Sequence, residues 1–390
     1  MITEHSIEYS MFLIFTGAAL LTTLALFARQ ALIVGYIVLG MLVGPWGFSL
    51  INDASLIQDI SNIGIIFLLY LLGLDLLPQQ LWRMLGEALR ITLISSAAFL
   101  LSVFLITWFF GYHVIDAILT GVALMFSSTI IGLKLLPTTI LHHRHTGQII
   151  ISVLLIQDLV AIVVLLLMEG YGKGVNLIVD MSLQVATLPL LIAIAFLLER
   201  YVLIRLIQKF DRIHEYIFLL AIAWCMGIAE LAGQLGLSHE IGAFVAGVTL
   251  ASSPIALFIT ERLKPLRDFF LIIFFFSMGA GFNVGGVHEI ILPALLLALF
   301  VILAKPAIFS YLLADTGEKS SISREVGFRL GQASEFSLLI SALAIKSHIA
   351  GVNTANLIQL TTLITFIVSS YIIVLSYPTP IAVTERLRRD

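Results

Sequence analysis

Charge is scarce in this chain. Asp, Glu, Lys and Arg make up only 12% of its 390 residues against 60% hydrophobic ones, and the mean hydropathy is +1.08. No soluble core needs that much apolar sequence, so the composition is that of a polytopic helical membrane protein. Cysteine is scarcer still. The single Cys225 lies inside an apolar segment and excludes an internal disulfide. Alternating flanks are missing too, and the apolar segments are too long for strands, which excludes a transmembrane β-barrel. There is no G-x-S-x-G, no H-E-x-x-H and no pair of catalytic acids around a common water site, which argues against a membrane enzyme. The first segment has no basic n-region or small-residue cleavage site and reads as a retained helix.

What is present is a series of thirteen apolar spans, from Met11–Ala28 to Ala355–Ser376, among them span four, Leu89–Phe110, span nine, Ile241–Ile259, and span ten, Asp268–Phe282. The basic residues support that number. Of 21 Lys and Arg, 17 fall after odd-numbered spans. Only Lys173 and Lys346 fall after even-numbered ones, and Lys305 and Arg329 lie inside spans. By the positive-inside rule the N-terminus is then outside and the C-terminus cytoplasmic. The expected setting is a lipid bilayer, a bacterial inner membrane, with no nucleic-acid partner.

The chain also resembles itself at a shift of 207 residues. Ile65-Ile66-Phe67 matches Ile272-Ile273-Phe274, and Gly35 and Gly40 match Gly242 and Gly247. Equivalent segments lie seven spans apart, an odd number, so the two halves have opposite orientation. Inverted repeats of this kind place a transporter's substrate site at the midplane between them. The expected organisation is one transmembrane domain over 1–390. Its first repeat covers 1–168, a linker helix 181–209, the second repeat 216–376 and a cytoplasmic tail 377–390.

Span six, Ile149–Met168, is apolar except for Gln157 and Asp158 at its centre. An aspartate at the bilayer midplane costs about 3 kcal/mol on insertion scales, so it faces a cavity or a partner and marks a functional position. Asp158 is read as a carboxylate for which protons and a monovalent metal cation compete. Span five, Val114–Leu136, is interrupted by Ser127, Ser128 and Thr129. Such hydroxyls commonly bond back to the i−4 carbonyl. The sharper reading is a broken helix whose carbonyls and hydroxyls offer oxygen ligands to K⁺ or Na⁺.

Span twelve, Glu325–Ile345, holds Arg329, Gln332, Ser334 and Glu335, and the 207-residue shift aligns Glu335 with Ser128. Two broken helices crossing at the midplane are therefore expected. Lys305 in span eleven either snorkels to the cytoplasmic interface or balances a charge, Glu335 or Asp158. Lys305, Glu335, Arg329 and Gln332 are thus read as structural or gating groups. Asp75 and Glu230 read as span-end residues in contact with water. His142, His143 and His145 read as a solvated loop, with a metal site the less favoured alternative.

Together GPWG (Gly44–Gly47), LLGLDLLP (Leu71–Pro78), SST (Ser127–Thr129), LLIQDLVAI (Leu154–Ile162), SMG (Ser277–Gly279), Lys305 and GQASEF (Gly331–Phe336) resemble the Kef-type branch of the second monovalent cation:proton antiporter family. The resemblance covers the whole chain in order. It implies a homodimer with core and dimerisation domains working by an elevator-like movement. It also implies that Asp158 binds cation and proton, with Ser127, Ser128, Thr129 and Gln157 lining the site. Sodium-type relatives carry two adjacent acids where this chain has Gln157-Asp158. One carboxylate fits an electroneutral exchange of one proton for one cation, K⁺ being favoured.

No cofactor is expected beyond the transported ions. Glutathione-gated members continue into a cytoplasmic nucleotide-binding domain, whereas no G-x-G-x-x-G occurs here. A separate regulatory domain or ancillary subunit is the expected alternative partner. The competing functional readings are a Na⁺/H⁺ antiporter with the same site, a ligand-gated K⁺ efflux system resembling a channel, and a sensor that no longer transports.

Overall fold

The computed structural model describes residues 7–51, 54–75, 78–137, 145–172, 177–210, 213–251, 253, 255–282, 285 and 287–379. Among them the chain is helical without strands. Hydrocarbon offers no partner to a backbone N–H or C=O, so each spanning segment must satisfy its own, which a helix does.

In chain order the helices are α1 (Ile7–Phe27), α2 (Leu32–Val43), α3 (Ala54–Asp75), α4 (Pro78–Phe109), α5 (Val114–Leu124), α6 (Thr129–Lys134) and α7 (His145–Gly172). Next come α8 (Leu177–Leu198), which continues through a π turn at Glu199–Leu203 into α9 (Ile204–Lys209), then α10 (His214–Gln234) and α11 (His239–Ala251). The last are α12 (Ala256–Ala280), α13 (Val287–Asp315), α14 (Ser320–Arg329), α15 (Glu335–Lys346) and α16 (Val352–Ser376). Each expected span corresponds to one helix or, for spans five and twelve, to a pair of short helices on either side of an interruption. Among the described residues, six helical segments are each long and apolar enough to cross a membrane: α1, Ala88–Phe109 of α4, His145–Leu165 of α7, α10, α13 and α16. The protein is an integral membrane protein.

Two boundaries differ from the sequence reading. Span nine, expected to run to Ile259, ends at Ala251, and α12 takes in Glu261–Arg267, which the sequence places in a loop. Likewise α4 starts at Pro78, well before the expected Leu89. Apolar content marks where a helix leaves lipid, not where its hydrogen bonding stops. Arg, Lys, Glu and Gln are good helix formers, and proline suits the first helical position.

The 207-residue offset reappears in the helix bounds. The starts of α1, α2 and α7 lie 207 residues before those of α10, α11 and α16, and α1 and α10 are both 21 residues long.

The helices pack into two compact units. One unit contains α3, α8, α9, α10, α11 and α12 as far as Ser277. Within it α3 crosses α11 at Gly73 and Gly247, where a Cβ on Gly247 would overlap the Tyr70 carbonyl and one on Gly73 the Phe244 carbonyl. Small residues permit that backbone approach. Trp224 Nε1 donates to Ala246 O at 3.0 Å, fixing α10 against α11.

The other unit contains α1, α2, α4 from Met84, α5, α6, α7 as far as Leu165, and the chain from Met278 onward. Its centre is α13, against which Val103 of α4, Leu124 of α5 and Leu357 of α16 are fully buried. Every residue singled out around Asp158 belongs to this unit.

Candidate functional site: two interrupted helices around a buried aspartate

The first interruption, Met125–Ser128, separates α5 from α6. The sequence left two readings of its hydroxyls open, and the geometry favours the break. Ser127 N–H donates to Gln157 Oε1 of α7 at 3.0 Å, and Ser127 Oγ donates to Leu330 O at 2.8 Å. Neither bond turns back into α5. Ser128 then restarts the helix, its Oγ accepting from Ile131 N–H at 3.1 Å. A hydroxyl accepting the third following amide is how serine caps a helix start.

The second interruption, Leu330–Ser334, separates α14 from α15. Ser334 caps α15 reciprocally: its Oγ accepts from Phe336 N–H, and Ser337 Oγ accepts from Ser334 N–H, each at 3.2 Å. That leaves the Ser337 hydroxyl proton free to donate to Ala123 O, in the last turn of α5, at 2.6 Å.

The two interruptions are tied together. Lys305 of α13 donates to Phe126 O and to Gln332 O, at 2.5 and 3.0 Å. Gln332 Nε2 donates to Arg329 O at 3.0 Å and to Ser128 O at 3.4 Å. Both lysine acceptors are carbonyls just past a helix C-terminus, where the peptide dipoles leave partial negative charge. An ammonium there is stabilised without a carboxylate. The sequence reading set Lys305 either against Glu335 or Asp158 or at the interface. In the structure it is fully buried, held by two backbone carbonyls, with its nitrogen 5.5 Å from the Phe99 ring centre.

Asp158 is 1% exposed, and Thr129, the first residue of α6, donates its hydroxyl toward both carboxylate oxygens, at 3.2 and 3.3 Å. Asp158 and Thr129 therefore form the oxygen-rich point nearest the first interruption. Gln157, expected to line the ion site, has a more specific duty: its carbonyl oxygen replaces the helical acceptor that Ser127 N–H lacks. Glu335 is buried in the first turn of α15, where a helix N-terminus favours negative charge.

Arg329 belongs elsewhere. Its guanidinium pairs with Glu325 at 2.9 Å and donates to Leu135 O at 3.1 Å and to Pro378 O at 2.8 Å. It also lies 5.7 Å from the Tyr377 ring centre. It binds the end of α6 and the segment after α16 to α14, and reaches the site only through its own carbonyl and Gln332.

Sequence reasoning missed three residues of this network. Ser337 is described above. Thr365 Oγ1 accepts from Ala333 N–H at 3.1 Å, and Ser369 Oγ donates to Gln332 Oε1 at 3.1 Å. A signal existed for one of them: the 207-residue offset carries Asp158 onto Thr365. Among the described residues no group of three His, Cys, Asp or Glu side chains is arranged to hold a metal. His145 meets Glu318 at 2.6 Å, whereas His142 and His143 lie outside the described residues, as does the side chain of Asp75. Glu230, exposed near the end of α10, meets His239 at 3.3 Å, as a residue in contact with water would.

Comparison with known proteins agrees with this architecture. Two potassium-efflux relatives, each a glutathione-regulated system protein KefC, are similar over 85% of the chain. The one from Salmonella typhi is 31% identical over 347 residues, and the one from Salmonella newport is 30% identical over 346. The chain spans about half the length of these curated relatives, 54% of each. Among solved structures, the sodium proton antiporter MjNhaP1 from Methanocaldococcus jannaschii shares the fold. The TM-score is 0.71 at 17% identity, covering 94% of this chain and 95% of the other. The family model described as sodium/hydrogen exchanger, transmembrane, matches residues 12–375, nearly the full length. The chain is therefore a member of the sodium/hydrogen exchanger family of cation:proton antiporters, and a transporter, not an enzyme.

Proposed function

We propose that this protein exchanges K⁺ for H⁺ at Asp158, one for one, by alternating access. One observation carries the reading: the buried Asp158 carboxylate meets the Thr129 hydroxyl at a helix interruption, while the ammonium of Lys305 is engaged by two carbonyls. The site can then hold either one proton or one cation. Facing the more acidic side, Asp158 takes a proton and the cation leaves. Facing the more alkaline side, it loses the proton and binds the cation. Both occupied forms are neutral at this position. The bare carboxylate is too costly to carry across. K⁺ is the favoured ion because the relatives similar along the sequence are potassium-efflux proteins, and because glutamine precedes the aspartate where sodium-type relatives carry a second acid.

The same reading includes inverted repeats over residues 1–168 and 216–376, a linker over 181–209 and a tail over 377–390. It further includes a homodimer, an elevator-like movement, residence in a bacterial inner membrane and an external N-terminus. The 207-residue periodicity of the helix bounds and the distribution of basic residues support the first and last of these. A regulatory domain or subunit acting from the cytoplasm fits relatives that extend beyond the matched region.

The test is an exchange assay in proteoliposomes with an internal pH dye, adding K⁺ and Na⁺ in turn. Asp158→Asn is expected to abolish proton-coupled exchange while the purified protein keeps its wild-type melting temperature. Full exchange by that variant would reject the mechanism. Saturation by Na⁺ at lower concentration than K⁺ would replace the ion and keep the site.

A further inference from the structure

The ion site has so far been assembled from α5, α6 and α7. The contacts on α16 point to a contribution from the other half of the chain. Position 365 stands to α16 as position 158 stands to α7, since the two helices begin 207 residues apart. In the first half α7 supplies two adjacent groups: Asp158, and Gln157, whose carbonyl oxygen receives the stranded amide of Ser127. In the second half Thr365 takes the second duty, its hydroxyl receiving the stranded amide of Ala333 while donating to Thr362 O at 2.8 Å. Ser369 lies four residues on, on the same helix face, and donates to Gln332 Oε1. Thr365 is fully buried and Ser369 is 3% exposed, so neither hydroxyl is a solvated surface group.

These bonds connect to the ion site. Gln332 Nε2 donates to Ser128 O, and Ser128 immediately precedes Thr129, whose hydroxyl meets Asp158. The backbone of Ala333 is also one residue from the Gln332 carbonyl that Lys305 holds. We propose that Thr365 and Ser369 of α16 are positioning residues for the cation site: they hold the Leu330–Ser334 interruption in the register that presents Ser128 and Thr129 to Asp158. Neither touches the ion. This inference rests on the reading of Asp158 as the ion site.

A misplaced interruption weakens cation coordination, which needs several oxygens at set distances, more than proton binding, which needs one. The full chain in proteoliposomes tests this with Thr365→Val, Thr365→Ser, Ser369→Ala and Asp158→Asn side by side. Half-saturating K⁺, maximal rate at saturating K⁺ and melting temperature are read for each. Thr365→Val and Ser369→Ala are expected to raise half-saturating K⁺ about fivefold, the scale of one lost hydrogen bond. Their maximal rate should stay within about twofold of wild type. Thr365→Ser returns the hydroxyl and is expected to restore half-saturation.

Wild-type half-saturation in Thr365→Val, or equal impairment in Thr365→Ser, would overturn the proposal, because packing alone would then explain the position. If Thr365→Val does not fold, Ser369→Ala decides: an unchanged half-saturation there also overturns it. Exchange surviving Asp158→Asn would instead remove the reading beneath it, whatever α16 variants do.

Discussion

At the scale of single residues, the groups around Asp158 divide between those that meet its carboxylate and those that hold backbone. Thr129 is the clearest of the first kind, since its hydroxyl reaches both carboxylate oxygens. Thr129→Val keeps the shape of the side chain and removes the oxygen. It is expected to raise half-saturating cation about tenfold, the scale of a hydrogen bond to a charged group. The proposed competition adds a second readout: if proton and cation share the Asp158 carboxylate, half-saturating cation in wild type is expected to rise as pH falls. Lys305 is of the second kind. Lys305→Met leaves the Phe126 and Gln332 carbonyls without their charged donor, a loss of about 3 kcal/mol that a melting curve in detergent would register.

How far single residues can be read from sequence follows from chemistry. Asp158 stands out because an ionisable group in an apolar run is costly and therefore rare. Thr365, Ser369 and Ser337 do not stand out, because serine and threonine in membrane helices usually satisfy their own helix. Only the partner's stranded amide or carbonyl, a tertiary fact, marks them.

At the scale of elements, the interruptions are caps as much as breaks. Ser128 and Ser334 each start a short helix whose amides have nowhere else to go. Removing the Ser334 hydroxyl by Ser334→Ala is expected to cost about 1 kcal/mol, seen as a lower melting temperature. The sequence suggests both breaks through hydroxyls and glycines clustered in otherwise apolar spans. It does not reveal which hydroxyl crosses to which carbonyl: the pairing of Ser127 with Leu330, or Ser337 with Ala123, depends on how α5 and α14 cross. Helix ends were the least legible feature. The charged run Glu261–Arg267 reads as a loop by hydropathy and is helical in the structure.

At the scale of the whole molecule, the proposed thirteen crossings would put the two chain termini on opposite sides of the membrane. Cys225, the only cysteine, is fully buried, so the native protein offers a silent background for thiol labelling. Cysteine introduced at Lys319 is expected to react with an impermeant maleimide only from the cytoplasmic side, and cysteine introduced at Lys346 only from outside. Labelling of both from one face would break the count of spans. The periodicity that predicts this arrangement was legible as a few glycines and one Ile-Ile-Phe triplet. The helix bounds extend it: the starts of α1, α2 and α7 recur 207 residues later as those of α10, α11 and α16.

One ammonium, then, acts as a rivet through both interrupted helices. A part fastened to Phe126 on one side and Gln332 on the other cannot let either slide alone. In the proposed exchange, the displacement that turns the site from one face to the other is therefore expected to carry both helices together. Spin labels placed on α5 and α15 would keep one separation in every state of the cycle.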